Sequence, residues 1–92
     1  MKLNVDAIGK KKVTVSEDAF FARLASNLKW LRGAYGLNQQ TVADYLGVDR
    51  SAYCFYETQK CRPSVFTLKR LADFYELGMD DLTIKDLSES SF

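Results

Sequence analysis

Residues Gln39 to Glu57 read QQTVADYLGVDRSAYCFYE, and this stretch decides the fold. Asn38 stands before it as a good helix N-cap, and Gln39 and Gln40 give the first turn a polar character. Val42, Ala43 and Leu46 then recur at helical spacing, so one side is apolar. Ala43 is small where a second helix has to cross closely. Gly47 follows at once and can take the positive φ of a sharp turn without a steric cost. Val48 fills the inside of that turn. Asp49 is the expected second N-cap, its carboxylate favoured by the helix dipole. Tyr53 and Tyr56 continue the buried face, while Arg50, Ser51, Cys54 and Phe55 point away from it. Neither helix is long enough to be stable alone, so the rest of the chain must hold the pair.

Two short helices joined by a tight turn have the layout of a helix-turn-helix, in which the second helix enters the DNA major groove. The surrounding composition is compatible with that layout. Ninety-two residues with 47% hydrophobic content predict one small domain with a modest core. No run of about 18 apolar residues occurs, so no membrane span is expected. The N-terminus lacks the apolar stretch of a signal peptide, which predicts a cytoplasmic protein.

The chemistry of an enzyme is missing. The chain has no histidine, which removes the commonest general base and the Ser-His and Cys-His nucleophile pairs. No Gly-rich phosphate loop is present. Cys54 and Cys61 match no zinc-finger spacing and read as a reduced pair, so neither metal nor cofactor is expected. Net charge is only +1, but its distribution is uneven. Residues 1–72 hold 12 of the 13 Lys and Arg against 6 of the 12 Asp and Glu, a net of +6. Residues 73–92 set Lys85 against Asp73, Glu76, Asp80, Asp81, Asp86 and Glu89, a net of −5. The candidate DNA face lies in the positive part. The acidic end either sits away from DNA or is simply solvated.

Residues 1–15 read as a basic arm around Lys10, Lys11 and Lys12, or as a small hairpin in which Leu3, Val5, Val13 and Val15 alternate with polar residues. Thr14 or Ser16 caps a first helix running to about Tyr35, and Thr14 with Glu17 has capping-box spacing. Phe21, Leu24, Leu28, Leu31 and Tyr35 form its inward stripe. Phe20 and Trp30 lie off that stripe and either widen the core face or mark a partner surface. Thr58 to Pro63 form a polar, basic loop. Ser64 caps a fourth helix with Phe66, Leu68, Leu71, Ala72 and Tyr75 as apolar contacts. Leu77 and Gly78 break it, and Met79, Leu82, Ile84 and Leu87 supply a short fifth helix or two turns. The expected organisation is an arm or hairpin at 1–15, a domain at 16–87 with its helix-turn-helix at 39–58, and a frayed tail at 88–92.

The stretch from Leu24 to Leu82 resembles the Cro/phage-repressor, or xenobiotic-response-element, type of helix-turn-helix domain. The matching signatures are LKWLR at Leu28 to Arg32, GLNQQ at Gly36 to Gln40 and LGVDRSAY at Leu46 to Tyr53. YE at Tyr56 and Glu57 and RPSVFTLKRLADFYEL at Arg62 to Leu77 continue it. The resemblance implies an all-α, five-helix, lambda-repressor-like domain, here with an N-terminal extension. It implies that Gln39, at the start of the second helix, donates to a DNA phosphate with Gln40 beside it on the DNA side, and that Arg50 and Ser51 reach base edges. Cys54 and Phe55 would face the groove, and Lys60 and Arg62 would hold the backbone. Such an Arg50 could pair bidentately with guanine, and Phe55 could meet a thymine methyl. The resemblance also implies an ion pair between Arg32 and Glu57, buried in that family, against the alternative of a solvated surface pair.

The recognition helix departs from the family in being unusually apolar, with Ala52, Tyr53, Cys54, Phe55 and Tyr56 in succession. Two functions follow. The first is a repressor-type regulator that binds double-stranded DNA as a homodimer, paired through the fifth helix (Met79, Leu82, Ile84) or through the aromatic first helix. The second is a protein-interaction module, an antitoxin-like partner using Trp30, Phe20 and Phe55.

Overall fold

A computed structural model describes residues 16–89. The arm or hairpin at 1–15, including Thr14 and the three consecutive lysines, and the last tail residues 90–92 lie outside the described residues. Five helices follow one another: α1 Glu17–Ala34, α2 Gln39–Leu46, α3 Arg50–Thr58, α4 Val65–Phe74 and α5 Met79–Thr83. No strand occurs among the described residues, so the chain is all-α.

Local chemistry sets the boundaries. Ser16 caps α1, its hydroxyl accepting from the Ala19 amide at 3.1 Å. Asn38 caps α2 through the Thr41 amide at 2.8 Å, and Ser64 caps α4 through the Thr67 amide at 3.1 Å. Asp49 occupies the N-cap position of α3, but its side chain makes no capping hydrogen bond. Gly47 closes α2 at φ 75°, and its amide and that of Val48 bond back to Asp44 and Ala43. That is the left-handed residue the turn between α2 and α3 requires. Gln59 takes the same conformation after α3, at φ 65°, without being glycine.

Leu24, Leu28, Leu31, Val42, Ala43, Leu46, Tyr53, Leu68, Leu71, Ala72, Leu82 and Leu87 make one core. Helix α1 packs on α3 and α5, α2 packs on α3 and α4, and α4 packs on α5. The two short helices of the motif are therefore held from behind by α1 and α4, which α5 in turn braces. Phe20 and Trp30 are half-buried against this core, so they widen the α1 face.

Three expectations change. Tyr35 leaves the stripe of α1 and is 63% exposed, because the helix ends at Ala34 and the chain turns at Gly36. Phe66 is 72% exposed: it lies in the first turn of α4, two residues before Leu68, on the side away from the core. Leu82 is fully buried, so it is core and unavailable to a partner.

A residue with no prominence in the sequence fastens the C-terminal end. Asn27 is 1% exposed and donates to the carbonyls of Leu82 at 2.8 Å and Lys85 at 2.7 Å. Its Oδ1 accepts from the Leu87 amide at 3.2 Å. One amide side chain thus ties α1 to the segment that follows α5.

Candidate nucleic-acid interface

The site is built outward from a buried charge. Glu57, near the end of α3, has a side chain only 1% exposed. Arg32, from the last turn of α1, meets it in a fork: Nε donates to Oε2 at 2.7 Å and Nη2 donates to Oε1 at 3.0 Å. The Arg32 Nη1 also donates to the Leu37 carbonyl at 3.1 Å, which pins the loop leading into α2. Burial by itself would raise the Glu57 pKa, but hydrogen bonds from Arg32 and Gln39 and the fully buried Tyr53 beside it outweigh burial and hold it below the ordinary carboxylate value. The hydrogen bond to Glu57 raises the Arg32 pKa against desolvation. Burial and then the same carboxylate push the Tyr53 phenol up, and burial lifts Tyr75 to about 12. Both tyrosines are neutral and Arg32 and Glu57 are both ionised at pH 7.

The buried pair is continued to the surface by Gln39. Its Nε2 donates to Glu57 Oε1 at 3.1 Å. A carboxylate only accepts, so the amide of Gln39 is oriented with Oε1 outward. That oxygen accepts from Arg50 Nη1 at 3.3 Å. The first residues of α2 and α3 are thus linked across the turn, and through Glu57 to α1.

Around this chain the remaining residues divide. Arg50 and Ser51 are exposed on the first turn of α3. Cys54 is half-buried and Phe55 is 40% exposed one turn further on. Lys60 places its ammonium 5.7 Å from the centre of the Phe55 ring, a cation–π contact at the far end of α3. Gln40 is exposed and donates to Asp44 within α2 at 2.7 Å. Arg62 is held elsewhere. It bonds to Glu17 and to Asp18, the latter at 2.7 Å, and its guanidinium lies 4.6 Å from the Phe21 ring centre. Arg62 is thus engaged in exposed ion pairs with α1, at a position where the resemblance implies a phosphate contact.

A further arginine was missed in the sequence. Arg70 of α4 donates to the carbonyls of Leu46 at 3.0 Å and Tyr45 at 2.7 Å. It satisfies the C-terminal carbonyls of α2 and favours that end of the helix dipole. Its four-residue distance from Phe66 was the available signal, but the partner carbonyls lie 24 and 25 residues away.

A tight-turned α2–α3 pair, with an exposed polar and aromatic face on α3 and a buried ion pair behind it, defines a helix-turn-helix protein of the Cro/phage-repressor type. The chain belongs to this helix-turn-helix family, whose profile matches residues 28–82. It is 38% identical over 55 residues to the SPbeta prophage-derived uncharacterized HTH-type transcriptional regulator YonR of Bacillus subtilis, covering 60% of this chain and 51% of that one. It is 34% identical over 58 residues to the cryptic phage CTXphi transcriptional repressor RstR of Vibrio cholerae, covering 63% and 52%. The chain thus spans about half the length of these curated relatives. Among solved structures it is similar to a transcriptional regulator from Listeria innocua, with TM-score 0.63 and 30% identity over 65% of this chain and 56% of that one. It is also similar to the restriction-modification controller protein C.AhdI from Aeromonas hydrophila, with TM-score 0.62 and 29% identity over 67% and 94%. No helix among the described residues is long and apolar enough to cross a membrane.

Proposed function

We propose that this protein is a sequence-specific transcriptional regulator, a repressor that binds double-stranded DNA as a homodimer with α3 in the major groove. The observation that carries this reading is the exposed first turn of α3. Arg50 is presented there by Gln39, which is itself oriented by the buried Glu57. A guanidinium held at the head of a recognition helix suits bidentate contact with guanine O6 and N7. Phosphate contacts set register, and Gln40 and Lys60 flank the groove-facing residues as such contacts would, whereas the outward Oε1 of Gln39 only accepts and so serves Arg50 and not a phosphate. Ser51, Cys54 and Phe55 complete the reading face. Repression by this domain is steric, by occupancy of the site.

The reading is tested by selecting duplexes from a random library with the purified protein at two salt concentrations. The expected result is a two-fold-related site whose retention weakens at higher salt. Arg50→Ala should relax the preference at one base pair by about 1–3 kcal/mol while leaving folding intact. Absence of retention at low salt would overturn the proposal in favour of a protein partner.

A further inference from the structure

A ladder of rings crosses the molecule behind the reading helix. Tyr35 meets Tyr75 at a tilt of 33° with ring centres 5.7 Å apart, Tyr75 meets Phe74 edge-on at 4.9 Å, and Phe74 meets Tyr45 at 4.6 Å. The Arg70 guanidinium then lies 4.8 Å from the Tyr45 ring centre and 6.0 Å from that of Phe66. Phe66, Arg70 and Phe74 are spaced by four, so they share one face of α4. Tyr75 is buried and anchors the ladder, whereas Tyr35, Tyr45 and Phe66 are 63%, 39% and 72% exposed. A cleft lined by Tyr35, Leu37, Phe74, Tyr75 and Glu76 opens at one end of it. Exposed aromatic surface of this continuity marks an interface.

Charge identifies the occupant. Among the described residues the exposed large apolar side chains are those of this ladder, Val65 next to Phe66 at the start of α4, Phe55 on α3, and Ile84 after α5. Phe55 sits beside the cation of Lys60, at the positive end of the domain's reading helix. Ile84 sits in an acidic segment: Asp81 is paired with Lys85 and Asp86 with Arg23, which leaves the charges of Asp80 and Glu89 in excess. Two identical copies of either region would repel. The ladder carries Lys69 and Arg70 against Asp73 and Glu76, which balance. Lys69 is paired with Asp73 across one turn, and the donors of Arg70 are turned inward onto α2. The same surface on a second molecule can therefore approach it without like-charge opposition, as an isologous two-fold contact requires. We infer that the aromatic ladder of α4, Tyr45 and Tyr35 is the surface on which two copies of this chain pair. This rests on the homodimer of the proposed function and replaces the fifth helix, whose Leu82 is fully buried.

The test is sedimentation of the full chain across a concentration series, with circular dichroism as a folding control. The parent should sediment as a dimer. Phe66→Asp and Tyr35→Asp each put a charge at an exposed position of the ladder and should weaken pairing by at least about tenfold, equivalent to about 1.4 kcal/mol. Ile84→Asp should leave pairing unchanged. A parent that is monomeric throughout overturns the inference, as does a dimer that both ladder variants leave intact or that only Ile84→Asp dissociates. DNA retention of the same samples separates the two proposals. A monomer that still selects a DNA site removes the pairing surface alone. A ladder-dependent dimer that retains no DNA removes the regulator reading and keeps the surface.

Discussion

At the scale of single residues, Glu57 controls the motif. It accepts from Arg32 and Gln39, from two different helices, while its own helix carries the reading face. Removing either partner of the ion pair leaves a buried charge uncompensated, so Glu57→Gln or Arg32→Met should cost about 3–5 kcal/mol in urea unfolding. The pH dependence has a definite sign. The folded-state pKa of Glu57 lies below its ordinary value of 4.5, so the unfolded chain takes up the proton first. The stabilisation is fully present above pH 4.5 and is lost as pH falls through the folded value. The urea midpoint of the parent should fall below that pH more steeply than that of Glu57→Gln. Phe55 gives a second expectation, which rests on the proposed DNA reading. An aromatic ring on the groove face meets a thymine methyl through apolar contact, so replacing thymine by deoxyuridine in the selected site should weaken binding. Phe55→Ala should bind both duplexes alike in a retention titration.

At the scale of elements, the ends of the helices were legible because caps and turns are local. Asn38, Gly47 and Ser64 act on neighbours three or four residues away, and their chemistry is visible in a short window. Phe66 was misplaced because periodicity alone does not say which side of a three-turn pattern faces the core. The attachment of α5 was not legible at all. Asn27 bonds to backbone groups 55, 58 and 60 residues away, and an asparagine within a helix shows no sign of such partners. Asn27→Leu should leave the Leu82 and Lys85 carbonyls and the Leu87 amide unsatisfied. Each buried group abandoned in this way costs about 1–3 kcal/mol. Faster amide exchange from Leu82 to Leu87, with α2 and α3 still protected, is the expected outcome in native-state hydrogen exchange.

At the scale of the whole molecule, formal charge and effective charge differ. Among the described residues the Lys60 ammonium contacts only the Phe55 ring and carries no carboxylate partner, whereas Arg62 is bound by Glu17 and Asp18 of α1. In a plot of log affinity against log salt for the selected duplex, Lys60→Ala should make the slope shallower by about 1. Arg62→Ala should change the slope less, because that cation is already engaged by Glu17 and Asp18. Equal loss of slope in both variants would show that Arg62 leaves α1 to meet the backbone.

The sequence by itself determined the five helices, the tight turn at Gly47, the polar and aromatic face of α3, and the uneven spread of charge. These depend on capping, spacing and composition, which act over a few residues or over the whole chain. The pairing of Arg32 with Glu57 was already implied by the resemblance; the tertiary structure alone decided its continuation through Gln39 to Arg50, the pairing of Arg62 with α1, the role of Asn27 and the assembly of the aromatic ladder. Each of these joins groups far apart in the chain, and their meeting depends on how the helices cross.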